Sequence, residues 1–198
     1  TVDKTDSVTR TRNLLQSAQQ VVDTERTVTS SAIMNGMAWN SGPGGPTRMV
    51  EAVSPFDGST FTLAPDMGTM AELDLAYMVD DGTFLRQAGY LSGDDMVRAV
   101  ATLNAGGVLV PDPAYIDGAG QVQLRSLDMS DIAEAKAAGA SDDALPDAHV
   151  MTTRSFAASP LTRINVMVLS PTAASALGLQ SLPLGQLLSI DKPVGPME

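Results

Sequence analysis

The chain has 198 residues, near the usual size of one domain and long enough to bury a core without covalent staples. Lys and Arg total 12 against 23 Asp and Glu, a formal charge of −11, so no basic stripe exists to neutralise phosphates, and neither nucleic acid nor an anionic lipid surface is an expected partner. Cysteine is absent, which removes disulfides, thiolate nucleophiles and cysteine-based metal sites together.

Taken in chain order, Val8, Leu14, Leu15, Ala18, Val21 and Val22 recur at roughly helical spacing, and a helix is predicted there although Thr and Ser weaken it. Residues 26–34, rich in Thr, Val and Ser, read as a strand, and the Gly- and Pro-rich residues 40–46 as a loop. Residues 49–53 form a short strand stopped by Ser54-Pro55, and Asp57-Gly58 turns the chain into a second strand over 60–63. Leu73, Leu75, Tyr77 and Val79 then alternate with Asp74, Ala76 and Met78, the pattern of a strand with one strongly apolar face.

Asp80-Asp81-Gly82 ends that strand, and a short helix is predicted over 83–88. Ser92 sits where an N-cap belongs, with Asp94 and Asp95 in the first turn, where they favour the helix dipole. Met96, Val97, Val100 and Leu103 make the expected buried stripe of this helix; residues 104–107 close it, and Val108-Leu109-Val110 continue as a buried strand packed against it. Pro111-Asp112-Pro113 breaks the strand, residues 117–120 turn, and Val122 and Leu124 alternate with Gln121, Gln123 and Arg125 in a half-buried strand. A small Ala-rich helix over 130–138, capped by Ser130 and stopped by Gly139, reads as an insertion. Strands follow over 150–156 and 164–169, the latter the strongest in the chain. Ser170-Pro171 starts a helix that Gly178 ends, and residues 184–190 form a last strand. Strands and helices without regular βαβ alternation define an α+β fold in one domain, with a mixed or antiparallel sheet and a few short helices.

Catalytic chemistry finds little support in this pattern, and no enzyme activity, catalytic residue, cofactor or metal is expected. His149, the one histidine, heads a predicted strand without a nucleophile to serve. Asp80-Asp81, Asp94-Asp95 and Asp142-Asp143 could hold a hard cation, but turns and helix starts explain the first two, and alternating calcium-loop ligands are missing. Met34 with Met37, and Met67 with Met70, are single spaced pairs, better read as core filler or adaptable surface than as copper(I) ligands. Residues 42–46 lack the Lys-Ser or Lys-Thr of a phosphate loop.

Three stretches in order carry a resemblance: Tyr77-Met78-Val79 with Thr83-Phe84-Leu85; Ala105-Gly106-Gly107-Val108-Leu109-Val110-Pro111-Asp112-Pro113; and Val168-Leu169-Ser170-Pro171-Thr172-Ala173-Ala174-Ser175-Ala176-Leu177-Gly178-Leu179. They resemble the extracellular domain of FtsX-like, MacB-type permeases of actinobacterial ABC transporters. The similarity runs from about residue 73 to 190; residues 1–70 are poorly matched, 130–148 are longer than the family pattern, and 191–198 read as a linker toward a membrane helix. The resemblance implies an extracytoplasmic domain between two transmembrane helices at the cell membrane, in a permease that pairs with a cytoplasmic ATPase, dimerises, and meets an extracellular cargo or envelope protein. It implies no catalytic residues. The absence of an initial Met and the polar stretch at residues 1–12, without the apolar core of a signal peptide, suit an excised segment. The rival expectations are a stand-alone secreted or lipid-anchored ligand-binding protein and a metal-dependent hydrolase.

Overall fold

Among the residues that the computed structural model describes, 28–38, 48–61, 75–91, 93–139, 149–157 and 166–190, nine strands join in one mixed sheet. The helix predicted at 8–22, the loop at 40–46, the cap at Ser92, and Met67, Met70, Asp142 and Asp143 lie outside the described residues. The α+β expectation holds, with antiparallel and parallel pairs in the same sheet.

The described residues begin with β1 (Val28–Ala38), then the hairpin of β2 (Arg48–Val53) and β3 (Thr60–Phe61) around the predicted Asp57-Gly58 turn. Next come β4 (Leu75–Val79), α1 (Thr83–Ala88), α2 (Gly93–Asn104) and β5 (Val108–Val110). A 3-10 turn (Pro113–Tyr115), capped by Asp112, leads to β6 (Gln121–Asp128) and α3 (Met129–Ala137). The chain returns through β7 (His149–Ala157), β8 (Val168–Leu169), α4 (Pro171–Ala176) and β9 (Leu182–Ile190). The spatial order is β3-β2-β6-β7-β5-β8-β4-β1-β9. Two pairs are parallel, β4 with β8 and β5 with β7.

β7 is the fold's joint. Residues from His149 to Arg154 pair with β6, whereas Ser155, Phe156 and Ala157 pair with β5. A single strand thus passes from one half of the sheet to the other, and the β3-β2-β6 half lies back over the β5-β8-β4-β1 half. Alternation along each strand sorts side chains between two cores. Val50, Ala52, Val122 and Leu124 from the folded-back half meet Tyr77, Val79, Val108, Val110 and Leu169, with Ala173, Ala174 and Leu177 of α4. On the opposite face, Ala32, Met34, Met78, Leu109 and Val168 meet Phe84 and Leu85 of α1 and Ala99 and Leu103 of α2. The central strands are therefore covered on both sides, which fits the continuous apolar runs at 108–110 and 166–169.

Several expectations are corrected by this double cover. The strand read as having one apolar face buries Ala76 and Met78 as well as Tyr77 and Val79. Moreover, Met37 pairs with Tyr77 and Ala38 with Leu75, so Ala76 is an extra residue that bulges and joins Tyr77 in one core. In α2 the buried set is Ala99, Val100 and Leu103, with Met96 half-buried, while Val97 is 67% exposed. Val97 stands about 100° around the helix from Met96, off the stripe that Ala99 completes. The cap of α3 is Asp128 and not Ser130: its Oδ1 accepts from the Ser130 N–H at 2.9 Å and from the Ser130 hydroxyl, and these two bonds hold its carboxyl below the usual carboxylate range. The strand predicted over 164–169 has ladder pairing only at Val168 and Leu169 among its described residues, and α4 begins at once after Ser170. Burial on both faces produces the apolar run without requiring a long strand.

Other local expectations hold for their stated reasons. Asp94 and Asp95 occupy the first turn of α2, and its end closes with the Gly106 N–H on the Leu103 carbonyl and the Gly107 N–H on the Thr102 carbonyl. Ser170 caps α4, its Oγ accepting from the Ala173 N–H at 3.0 Å, with Pro171 in the first position. β1 outruns its predicted end at Met34 and continues through Asn35-Gly36, a pair that alone favours a turn, because β4 and β9 hydrogen-bond it from both sides.

Candidate functional site

Two neighbouring parallel strands, β4 and β8, end side by side, Val79 opposite Leu169. The helix after β4 packs on one face of the sheet and the helix after β8 on the other. Such a divergence opens a crevice beyond the carboxyl ends of the strands, the usual location of ligands in sheets with parallel strands. Here the crevice is an open groove of about 620 Å³, running from β1 across the β4–α1 turn to α4 and the segment that follows it.

Its floor is β1. Ile33 and Asn35 point to the side where the folded-back half of the sheet does not reach, which leaves Ile33 47% exposed in the middle of a strand. One wall is the Asp80-Asp81-Gly82-Thr83 turn, and the other is Pro171, Ala174 and Ser175 of α4 with Leu179 and Ser181 beyond it. The second wall is tied down from below: the buried Tyr77 hydroxyl donates to the Gln180 carbonyl at 2.7 Å. Burial pushes the Tyr77 hydroxyl up to about 12.

The turn's two carboxylates have different tasks. Asp80 is buried, and its two oxygens accept from the N–H groups of Phe84 at 3.1 Å and Leu85 at 3.0 Å, satisfying donors that the first turn of α1 leaves without helical partners. Asp81 is exposed, and one oxygen accepts from the Thr83 N–H at 2.9 Å. The Thr83 hydroxyl and then that N–H hold the Asp81 carboxyl below the usual carboxylate range. At Asp80-Asp81 the turn reading therefore accounts for both oxygens of Asp80 and for the two bonds that Asp81 accepts from Thr83.

The remaining described candidates are spread over the fold. His149 is the first residue of β7, opposite Ser126. Asp95 pairs with Arg98 at 2.7 Å on the exposed side of α2. Met34 and Met37 belong to cores on opposite faces of the sheet and cannot share a metal ion. Among the described residues no group of three or more His, Cys, Asp or Glu side chains converges as a metal cage would. The ion pair of buried Glu51 with half-buried Arg125, Nε to Oε2 at 2.9 Å, joins directly opposed residues of β2 and β6 and is a cross-strand tie. The residues missed by sequence reading are Ile33, Asn35 and Ser175, whose only signal would have been the adjacency of two parallel strands with helices leaving in opposite directions.

No family model, curated protein or solved structure matches this chain.

Proposed function

We propose that this chain is the extracytoplasmic domain of an FtsX-like ABC-transporter permease, an interaction and force-transmitting module that couples a cytoplasmic ATPase to export or to cell-envelope processes. The observation that carries the reading is the pairing of the first described strand with the last. β1 and β9 run antiparallel, with Val28 opposite Ile190, so the described chain enters and leaves the fold side by side. Opposed residues of an antiparallel pair are about 5 Å apart at Cα, and packed helices lie about 8–10 Å apart. A domain inserted between two neighbouring membrane helices needs that match. The same pair suits transmission of force: β1 has 11 residues, about 35 Å of extended chain, and contributes to both cores through Met34 on one face and Met37 on the other. Movement applied where β1 and β9 begin and end reaches the whole domain through a hydrogen-bonded ribbon. No described helix is long and apolar enough to cross a membrane, so the reading requires spanning segments elsewhere in the native polypeptide.

The groove favours a second reading, a stand-alone secreted or lipid-anchored ligand-binding protein. Fractionation of the source cells with antibodies to this chain separates the two. The permease reading expects an antigen that stays with membranes through an alkaline carbonate wash, is cut by protease added outside spheroplasts, and copurifies in detergent with an ATPase subunit. Antigen in the medium, or released by the wash, would falsify it.

A further inference from the structure

We infer that the groove between β1, the β4–α1 turn and α4 binds a small primary amine carried on an apolar body. The inference does not depend on the membrane reading, since the groove is lined by residues of this chain.

Three independent features converge. The first is size and place: about 620 Å³ falls within the usual range for small-molecule sites, and the groove lies where β4 and β8 send their helices to opposite faces. The second is the polar inventory. Three backbone donors at the two helix starts are already used, those of Phe84 and Leu85 by Asp80 and that of Ala173 by Ser170. The lining offers acceptors instead: the exposed carboxylate of Asp81, which has more lone pairs than the two Thr83 bonds use, and Asn35, whose amide nitrogen makes one long 3.4 Å bond to the Ile33 carbonyl. Among the described residues Lys, Arg and His are absent from the lining, Arg86 acting on Asp81 from outside it, and the chain's charge of −11 adds a field that draws cations. The third is the apolar surface. Ile33 of the floor with Pro171 and Leu179 of the wall suit an alkyl body, while among the described residues the lining contains no aromatic ring to cradle a quaternary ammonium. A group that brings both positive charge and N–H donors satisfies these acceptors, and a primary ammonium has both.

The test is a calorimetric titration, backed by saturation-transfer NMR, of the 198-residue chain with hexylammonium, hexyltrimethylammonium and hexanoate. Hexylammonium should bind saturably, hexyltrimethylammonium at least about fivefold more weakly, and hexanoate not at all. Asp81→Asn retains an oxygen for the Thr83 N–H, so the turn survives, and it should weaken hexylammonium at least about fivefold. Ser175→Trp places a ring in the groove from the exposed side of α4 and should abolish binding. Equal binding of the three probes, an absence of saturable hexylammonium binding, or wild-type affinity in both variants would overturn the inference. The membrane fractionation above is indifferent to these results.

Discussion

The two faces of the central sheet are covered by different means. On one face α1, α2 and Leu91 between them lay Phe84, Leu85, Leu91, Ala99 and Leu103 across Ala32, Met34, Met78, Leu109 and Val168. On the other, the cover is the molecule's own folded-back half-sheet with the single short α4, and it reaches Met37 but stops short of Ile33 and Asn35. Helices are supplied locally, by the segment joining β4 to β5, and can be as long as the face requires. A folded-back sheet is limited by the joint at β7, and its reach ends where β2 ends its contact with β4. The closed face therefore carries stability, while the incompletely covered face leaves room for a ligand.

The largest expected effect comes from the seam that both faces share. Gly36 lies between Met78 of β4 and Leu182 of β9, and an added Cβ would collide with the Tyr77 carbonyl oxygen and sit 3.1 Å from the Met78 Cα. These are backbone atoms and cannot step aside, so Gly36→Ala should destabilise by on the order of 4 kcal/mol and disturb both cores at once. Denaturant unfolding with amide exchange measures this; protection lost on one face alone would show that the faces are not joined through this seam. Next in size, Leu103→Ala on the closed face empties a buried leucine site between α2 and the sheet and should cost about 3 kcal/mol. In the same denaturant series, a loss below about 1 kcal/mol would place the stability of that face elsewhere.

The closed face was also the legible one. Residues 75–110 announce themselves by local signals: a turn of two aspartates and a glycine, acidic residues in a helix's first turn, a closing pair of glycines and a short apolar run. Each of these acts within a few residues of itself, so a single sequence is enough to find it, and α1 falls on the predicted residues 83–88. The missed details, Val97 for Ala99 and Ser130 for Asp128, exchange neighbours along a helix and leave the element unchanged. The groove could not be read in this way. Ile33 looks like any alternating strand residue, and its exposure depends on how far another part of the sheet folds back. Nor does β4 show in its own residues that its parallel neighbour is β8. The pairing of Val28 with Ile190 is equally non-local, and it arises only when the sheet is complete.

On the open face the tie between β4 and the wall of the groove can be titrated. Tyr77 has an ordinary hydroxyl value near 10 when the chain is unfolded and about 12 when it is folded, because burial opposes the phenolate. A group whose folded value is raised contributes stability that is fully present below the unfolded value and is lost as pH rises through the folded one. The loss belongs to the window from pH 10 to about 12, and amounts to on the order of 3 kcal/mol from that difference. Tyr77→Phe removes the bond to Gln180, costing about 1 kcal/mol at neutral pH, and it also removes this titration. Groups that ionise elsewhere are common to both proteins, so the difference between their stability curves isolates Tyr77. It should shrink and then reverse sign through the alkaline window, measured as the denaturant midpoint at each pH. A constant difference would mean that Tyr77 reaches solvent when folded, and that the wall of the groove is not held from beneath.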